Sequence, residues 1–417
     1  LEWFPPMAVV TAQPPLESGS KVIDKEGVES FTDSDVNSTS EFIARSNRKG
    51  MKVISNLGDD DFNEVFMKAQ EAIREGIDPE LIPEGSSGSY FVKDSEGKRI
   101  GVFKPKDEEP FAPLNPKWPK FFQRILCSCC FGRACLIPNS GYLSETGASL
   151  VDRRLGLNIV PKTRVVKIAS PAFYYERKCC KQPPADMSKL RPKEGSFQLF
   201  VNGYESADRV MARWEYDSTL LNTEERKKFI LLFQKMVALD YIIRNTDRHT
   251  QNWLIRHVPR KELELAAIDN GLAFPIKHPE AVSRLRPFPF RWQTLSFANQ
   301  PWEESLRAQL LTKLTPNFVH ELCMELKKLF RHDLAANKLL VSGQLQVLRG
   351  QMRNLRYALE NNLRPRELTQ LKPLLLKKRY RRNVPPPQAD PSSWSTYFSE
   401  RSGYNPNPTC CCKHSSQ

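Results

Sequence analysis

The most informative part of the sequence is the stretch DYIIRNTDRHTQNW, residues 240–253, which lies between an apolar helical pattern and an apolar strand pattern. Within it, Asp247 and Asn252 have the spacing D-x-x-x-x-N. That spacing allows one loop to present a carboxylate to an attacking hydroxyl and an amide oxygen to a metal ion. Because Asp and Asn are also common in turns, the interpretation as a catalytic loop depends on the motifs around it.

The second motif is Ile268-Asp269-Asn270-Gly271, in which an acidic residue and a turn end an apolar strand pattern. It resembles the D-F-G metal-binding position of kinases, with Asn270 in place of the aromatic residue. Asp269 is therefore a candidate metal ligand, together with Asn252.

The third motif is a loop of small residues that leads into a predicted β-hairpin, and Lys104 lies at the end of the second strand of that hairpin. The loop matches neither the P-loop nor the dinucleotide-binding pattern, and taken alone it is also compatible with a flexible turn. A hairpin that covers phosphates, followed by a strand lysine, is the arrangement of kinases. The motifs stand in kinase order, which predicts a phosphotransferase. The candidate ATP-binding residues of the loop are Gly85, Ser86, Ser87, Gly88 and Ser89.

The predicted secondary structure changes from strand-rich to helical near residue 201. We expect a bilobal α+β fold of the kinase type, with a small β-rich N-lobe at 60–201 and a larger helical C-lobe at 202–365. A cysteine-rich insert occupies about 105–140. A disordered acidic tail is expected at 1–59 and a basic, Pro-rich tail at 366–417. The elements predicted in the C-lobe are a hairpin, 252–256 with 263–268, and helices at 224–244, 302–313, 316–332 and 338–362.

The amino-acid sequences of these motifs are similar to those of the type II phosphatidylinositol 4-kinases, in the phosphoinositide kinase superfamily. Asp247-Arg248-His249-x-x-Asn252 resembles the D-R-H-x-x-N of that superfamily, and the H-R-D, D-F-G and A-P-E sequences of protein kinases are missing. The resemblance spans about residues 60–365. It implies transfer of the ATP γ-phosphate to the inositol 4-hydroxyl of phosphatidylinositol. The segments that carry it are 85–94, 102–106, 114–118, 141–145, 195–201, 240–248 and 267–275.

The resemblance also implies a role for each motif. Ser89 and Lys104 would contact the ATP phosphates, and Asp247 would orient or deprotonate the substrate hydroxyl. Mg²⁺, or alternatively Mn²⁺, would be held by Asn252 and Asp269. The lysine, the aspartates and the asparagine are all intact, which argues against a catalytically inactive scaffold. The hinge that binds adenine through its backbone would comprise Gln198, Leu199, Phe200 and Val201.

Two features of the site stay open at the level of the sequence. The carboxylate partner of Lys104 is either Glu145 or Asp152, which lie on one predicted helix. After Asp-Arg the family commonly reads Gly-Asn-Asp-Asn-Trp, whereas this chain has His249-Thr-Gln-Asn-Trp. His249 is therefore either a catalytic group or a structural histidine that braces the loop.

The net charge of the chain indicates an anionic partner. The sequence has 62 Lys and Arg against 48 Asp and Glu, a formal charge of +14, for which nucleic acid, a membrane surface and nucleotide phosphates are the candidates. The basic segment 364–382 contains a single aromatic residue, Tyr380, whereas nucleic-acid binding favours aromatic residues interleaved with the charges. We therefore exclude nucleic acid and expect anionic phospholipid at this segment, with a solvated basic tail as the alternative. The longest apolar runs are too short for a membrane-spanning helix.

A cysteine cluster in the insert predicts attachment to membranes. Cys127, Cys129 and Cys130 follow a segment of mixed aromatic and basic residues, which is typical of a membrane interface. The type II family carries a palmitoylated cysteine-rich insert at this place, so the resemblance implies S-palmitoylation of these residues. Free thiols are the alternative, and a zinc site lacks a second Cys or His pair at the required spacing. Whether the second cluster, 410–412, is acylated stays open.

The resemblance implies a cellular location as well. With phosphatidylinositol in anionic membranes as the substrate partner, we expect the protein at the cytoplasmic face of trans-Golgi and endosomal membranes, with the plasma membrane as an alternative. Trafficking adaptors are further partners that the resemblance allows.

Overall fold

The computed structural model describes most of the two predicted lobes. The described residues are 52–53, 60–110, 112–116, 134–175, 190–279, 288–333, 337–379 and 393–402. The N-terminal segment 1–51, the cysteines at 127, 129 and 130, and the cluster 410–412 lie outside the described residues.

Six antiparallel strands form the sheet of the N-terminal lobe. They are β1 (Lys52–Val53), β2 (Glu80–Leu81), β3 (Tyr90–Lys93), β4 (Arg99–Pro105), β5 (Thr163–Ile168) and β6 (Lys193–Leu199). Their order in the sheet is β1-β5-β6-β4-β3-β2. The predicted hairpin corresponds to β3 and β4, and Lys104 on β4 pairs with Ser196 on β6. The lysine strand and the candidate hinge strand are therefore direct neighbours.

The described residues of this lobe form two α-helices, α1 (Asp60–Arg74) and α2 (Gly141–Leu155). Phe62 and Phe66 lie one turn apart on α1, and their rings contact the edge of the Phe197 ring on β6 at centroid distances of 5.8 and 5.4 Å. On the neighbouring strand, a Cβ added at Gly101 would approach the Phe197 ring to 2.2 Å. The aromatic contacts thus require glycine at this position of β4 and hold the strand in place.

Helices dominate the C-terminal lobe. Its three-stranded antiparallel sheet contains β7 (Glu205–Ser206), β8 (Trp253–Val258) and β9 (Glu262–Ala267). The helices are α3 (Ala207–Tyr216), α4 (Thr223–Ile243), α5 (Glu304–Lys313), α6 (Pro316–Phe330), α7 (Lys338–Glu360), α8 (Pro365–Leu368) and α9 (Trp394–Tyr397). A capping box of Asn222 and Glu225 starts α4, and every residue from Met236 to Ile243 on this helix is buried. The end of α4, from which the candidate catalytic loop begins, is thereby fixed in the core.

Helix α2 connects the two lobes. Every residue from Tyr142 to Asp152 is buried, which is typical of a helix packed on all sides. It packs against β5 in the N-terminal lobe and against α4 and α6 in the C-terminal lobe. Any group on α2 therefore has a position defined by both lobes.

A hairpin near the C-terminus packs on the C-terminal lobe. It pairs β10 (Leu374–Lys378) with β11 (Phe398–Ser402), and a Cβ added at Gly350 on α7 would approach the Leu374 carbonyl oxygen to 1.9 Å. Part of the segment 366–417, which the sequence predicts as a tail, therefore belongs to the folded lobe. The high positive charge of this segment obscured its apolar side chains, of which Leu376 and Phe398 are buried.

The predicted fold class is confirmed. A small lobe built on an antiparallel sheet is followed by a larger helical lobe, as expected for a bilobal α+β fold. Within the described segments, no helix combines the length and the apolar character needed to cross a membrane.

Candidate active site

Lys104 lies at the centre of the candidate site. Its Nζ atom donates to Glu145 Oε1 at 2.5 Å and to Asp269 Oδ1 at 3.0 Å. The other candidate partner, Asp152, instead accepts a hydrogen bond from the Ile159 amide at 3.0 Å. Of the two carboxylates proposed for the lysine, Glu145 is therefore the one in contact with it. Lys104 bridges α2 and the Asp269 turn.

The charges of this group stabilise each other. Burial alone would lower the pKa of Lys104, but the carboxylates of Asp269 and Glu145 raise it above its ordinary value. The Lys104 ammonium in turn holds the pKa of the Asp269 carboxyl below its ordinary value. Both groups are charged at neutral pH, so the site offers a fixed cation beside an anionic oxygen.

Glu145 also holds the turn that carries Asp269. Its second oxygen, Oε2, accepts a hydrogen bond from the Asn270 amide at 2.9 Å. Asp269 itself has a φ of 52°, a left-handed conformation in which Asp is more frequent than most residues. The turn brings the Asp269 carboxylate out of β9 and to the lysine, with 56% of the side chain exposed.

The loop after α4 presents Asp247. Arg244, with a φ of 47°, ends the helix, and Thr246 Oγ1 donates to the Leu272 carbonyl oxygen at 2.7 Å. The Asp247 amide donates to Asn245 Oδ1 at 2.9 Å. Asp247 is the partly exposed member of an otherwise buried run, 244–248. The backbone that carries this carboxylate is thus fixed by local hydrogen bonds.

A buried ion pair ties the loop to the helix and to the Asp269 turn. Arg248 donates through Nε and Nη2 to the Asp240 carboxylate at 3.0–3.1 Å, and the two side chains are 1% and 0% exposed. The same guanidinium donates to the carbonyl oxygens of Asn252 and Ile268 and to Asn270 Oδ1. Burial raises the pKa of Asp240, and Arg248 opposes that effect. Local motifs do not reveal this role of Arg248, although a charged residue at the end of an apolar helix is a usable signal.

Asn252 and Asp269 lie at the same end of one hairpin. Trp253 pairs with Ala267 in the register of β8 and β9, and the Ile268 amide donates to the Asn252 carbonyl oxygen at 3.1 Å. The Asn252 amide nitrogen donates to the Asp247 carbonyl oxygen at 2.8 Å, and its Oδ1 has no hydrogen-bond partner among the described residues.

A free amide oxygen and an ionised, exposed carboxylate are the ligand types that Mg²⁺ prefers. The described segments contain no cluster of three or more His, Cys, Asp or Glu side chains that could enclose a metal ion. The two residues are therefore candidate ligands for a divalent cation that takes its other ligands from phosphates and water.

The candidate phosphate-binding loop, 85–89, is anchored by contacts between Gly88 and Glu108. The Gly88 amide donates to the Glu108 carbonyl oxygen at 2.9 Å, and a Cβ added at Gly88 would approach Glu108 Oε2 to 2.4 Å. Ser87 Oγ and Ser89 Oγ are 3.1 Å apart. Glu108 is held by Lys193 Nζ at 2.8 Å. The buried ion pair of Lys193 and Glu108 is likewise not evident from the sequence, because charged residues outside a recognisable motif are usually exposed.

The candidate hinge comprises the last two residues of β6 and the two residues after it. The Leu199 amide donates to the Lys162 carbonyl oxygen and the Phe200 amide to the Ile100 carbonyl oxygen, at 2.9 and 3.0 Å. Both N–H groups are thus used within the fold. Within the described part of the chain, Val201 makes no hydrogen bond, so its backbone N–H and carbonyl groups are available to a ligand. Gln198 lies inside the sheet, and its side chain donates to Thr163 at 3.1 Å.

His249 braces its own loop. Its amide donates to the Asp247 carbonyl oxygen at 2.9 Å, and its Nδ1 atom accepts a hydrogen bond from the Gln251 amide at 3.2 Å. These contacts support the structural interpretation of this histidine. The candidate palmitoylation sites Cys127, Cys129 and Cys130 lie outside the described residues.

A strand lysine paired with a helix glutamate and with the Asp269 carboxylate, beside a loop that carries Asp and Asn, is the arrangement of a kinase-type phosphotransferase site. Comparison with known proteins agrees with this class. Residues 85–341 match the family described as Phosphatidylinositol 3- and 4-kinase. The chain belongs to this family, and within it to the type 2 phosphatidylinositol 4-kinases.

Two curated relatives illustrate the similarity. Phosphatidylinositol 4-kinase type 2-beta of Gallus gallus is 44% identical over 356 residues, 77% of this chain and 73% of that protein. Phosphatidylinositol 4-kinase type 2-alpha of Danio rerio is 45% identical over 350 residues, 76% of this chain and 77% of that protein. Among solved structures, hydra Fam20 with sugar aligns with 73% of this chain and 90% of its own, at 16% identity and a TM-score of 0.38.

Proposed function

We propose that this protein transfers the γ-phosphate of ATP to the 4-hydroxyl of phosphatidylinositol at a membrane surface, giving phosphatidylinositol 4-phosphate. The observation that carries the proposal is Lys104 bound by both Glu145 and Asp269, next to the loop of Asp247 and Asn252, in a chain of the type 2 family. The geometry supports a phosphotransferase, and the family supplies the lipid and the position of the hydroxyl.

Asp247 would orient the inositol hydroxyl and accept its proton. The bond from the hydroxyl oxygen to the γ-phosphorus forms while the bond from that phosphorus to the ADP oxygen breaks. The proton passes to the Asp247 carboxylate. The hydrogen bonds from Asn252 to the Asp247 carbonyl oxygen and from the Asp247 amide to Asn245 fix the backbone that carries this carboxylate, which limits the reorganisation needed during the reaction.

Lys104 and the small-residue loop would bind the phosphates. The ammonium is fixed by two carboxylates, so it can neutralise phosphate charge without first being immobilised. Ser89, with the loop backbone from Gly85 onward, would cover the phosphates, and Val201 would bind adenine through its backbone. Asn252 and Asp269 would hold a divalent cation, Mg²⁺ or alternatively Mn²⁺, which neutralises charge on the phosphoryl oxygens when bound.

The test is transfer of radiolabelled phosphate from ATP to phosphatidylinositol liposomes. We expect lipid product with the wild-type protein and at least about 100-fold less with Asp269→Ala, because the variant loses the metal-binding carboxylate that Lys104 keeps ionised. Glu304→Ala is the matched control, because this carboxylate on α5 is 77% exposed. Absence of lipid product, or an undiminished rate in Asp269→Ala, contradicts the assignment. Separation of the product isomers tests the 4-position.

Attachment to the membrane is a second part of the proposal. S-acylation of Cys127, Cys129 and Cys130 would anchor the protein, because two or more acyl chains bind membranes stably where one is marginal. In the described part of the basic segment, 364–379, five cations are exposed, and each would add up to about 1 kcal/mol near anionic lipid. They are Arg364, Arg366, Lys372, Lys378 and Arg379.

Replacing Cys127, Cys129 and Cys130 with Ser is expected to move the protein from the membrane to the soluble fraction. Separate replacement of the cluster 410–412 shows whether it contributes. Fractionation at raised ionic strength separates the two forces, because salt screens the basic residues and leaves acyl chains unaffected. Unchanged partitioning of the triple variant would defeat the acylation proposal. The trans-Golgi, endosomal or plasma membrane, and adaptor partners, are proposed from the family alone.

A further inference from the structure

Glu109 holds the start of helix α2. Its Oε2 atom accepts a hydrogen bond from the Gly141 amide at 3.0 Å, and its Oε1 atom accepts one from the Tyr142 amide at 2.8 Å. The residue before the helix, Ser140, makes no side-chain capping bond. The first amides of a helix have no partner within the helix, so a carboxylate from a distant part of the chain replaces the usual cap.

The carboxylate of Glu109 is buried without an ion-pair partner among the described residues. Glu109 is 8% exposed, and no basic side chain in the described segments forms an ion pair with it. The favourable field at the helix N-terminus and the two amides therefore offset part of the cost of its burial. A Cβ added at Gly141 would lie 3.1 Å from Glu109 Oε1. Glycine at the first position of α2 thus allows the close approach.

The position of Glu109 links three parts of the site. It lies shortly after Lys104 on the same strand connection, and α2 carries Glu145 one turn beyond the amides that Glu109 holds. Asn115 Nδ2 donates both to the Glu109 carbonyl oxygen and to the Ser86 carbonyl oxygen, each at 3.0 Å. A shift of Glu109 would therefore be transmitted to the lysine pair and to the phosphate-binding loop.

We propose that Glu109 is a positioning residue for phosphoryl transfer, because it fixes the start of α2 and so places Glu145 against Lys104. The inference rests on the proposed function and adds to it a group that touches neither substrate. It differs from a simple structural role in one respect: the hydrogen bonds of Glu109 act on the geometry of the reacting groups and not only on folding.

The state of the carboxyl group should influence the rate. The pKa of Glu109 is raised to about 7, because burial outweighs the hydrogen bonds from the Tyr142 and Gly141 amides, which lower it. The Glu145 carboxylate adds a smaller effect in the raising direction, and the Lys104 ammonium one in the lowering direction. The carboxylate accepts hydrogen bonds through both oxygens, whereas the protonated acid keeps only one oxygen as a full acceptor. The rate of phosphoryl transfer should therefore increase as the pH rises through about 7. A variant without a titrating group at position 109 should not show this increase in its pH profile.

The experiment compares wild type with Glu109→Gln in three measurements: the kcat and KM for phosphatidylinositol, the pH profile of kcat, and the affinity for a non-hydrolysable ATP analogue with Mg²⁺. We expect Glu109→Gln to lower kcat by about 10- to 100-fold with a small change in the lipid KM. We also expect weaker nucleotide binding and loss of the increase in rate near neutral pH.

Asn222→Ala is the matched control, because it removes the side-chain cap of α4 at the end of that helix remote from the catalytic loop. Its kcat should stay within about twofold of wild type, although it too loses a cap. Gly141→Ala is a second variant, which crowds the carboxylate without removing a hydrogen-bonding group, and it keeps the test valid if Glu109→Gln does not fold.

The outcomes separate the inference from the proposed function. If the wild type makes lipid product and both Glu109→Gln and Gly141→Ala retain its kcat, the positioning role is wrong. An equal loss in Asn222→Ala would also overturn it. If the wild type makes no lipid product, the proposed function fails, and nucleotide affinity still decides the inference: wild-type affinity in the Glu109 variant contradicts it.

Discussion

Asp247→Asn is expected to lower kcat for phosphatidylinositol by about 100- to 10,000-fold, the range in which a positioned base contributes. The side-chain amide of Asn has the size of the Asp carboxylate, and the loop is held mainly through the backbone of residue 247. Its N–H donates to Asn245 Oδ1, and its carbonyl oxygen accepts a hydrogen bond from Asn252 Nδ2. The variant should therefore fold normally. It cannot accept the proton of the hydroxyl, so the loss should appear in kcat while ATP affinity stays unchanged.

The control for this variant is Asp208→Asn. Asp208 borders the same loop, because Gln251 Nε2 donates to its carboxylate at 3.5 Å, but it belongs to α3 and has no assigned part in the reaction. We expect its kcat within about twofold of wild type, in the range of small surface effects. A fully active Asp247→Asn, or a loss of ATP binding equal to the loss of rate, would remove Asp247 from the role of base.

Arg248→Met is expected to destabilise the fold by about 3–5 kcal/mol, because it leaves the buried Asp240 carboxylate without its ion-pair partner. It should also abolish transfer, since the carbonyl oxygens of Asn252 and Ile268 and the side chain of Asn270 lose their common donor. Urea unfolding measures the first effect, and the lipid kinase assay measures the second.

A double variant separates these two effects. Asp240→Leu together with Arg248→Met removes both buried charges, so much of the stability should return. Activity should not return, because the bonds from Arg248 to the loop and to the Asn270 turn are still missing. The exposed pair of Arg213 and Glu205 provides the comparison: Arg213→Met should cost less than about 1 kcal/mol. Recovery of full activity in the double variant would contradict the role of Arg248 in the site.

Local patterns in the sequence predicted most of the elements correctly. The helix expected at 224–244 is observed at Thr223–Ile243, because its capping residues and apolar content agree with burial. Helix α3, Ala207–Tyr216, was missed, since only three of its side chains are buried and the segment reads as polar. The hairpin of β10 and β11 was missed because its charge obscured a few buried side chains.

The candidate catalytic residues could be proposed from the sequence because their motifs are local, but their hydrogen-bond and ion-pair partners could not. Glu145 and Asp152 are two turns apart on one face of α2, and only the packing of that helix between the lobes shows which of them reaches Lys104. Glu108 and Glu109 are adjacent acidic residues before a proline, a pattern typical of an exposed loop. Their burial depends on contacts with Lys193 and with the start of α2, which no local pattern contains.

The guanidinium of Arg248 has a consequence for the evolution of this site. The Arg248 side chain donates hydrogen bonds to the Asp240 carboxylate, to the carbonyl oxygens of Asn252 and Ile268, and to Asn270 Oδ1. Asn270 occupies the position where kinases with D-F-G have an aromatic residue, and here it supplies an acceptor that an aromatic ring lacks. Asp240, Arg248 and Asn270 therefore cannot change independently, and descendants of this chain should inherit or lose the three residues together.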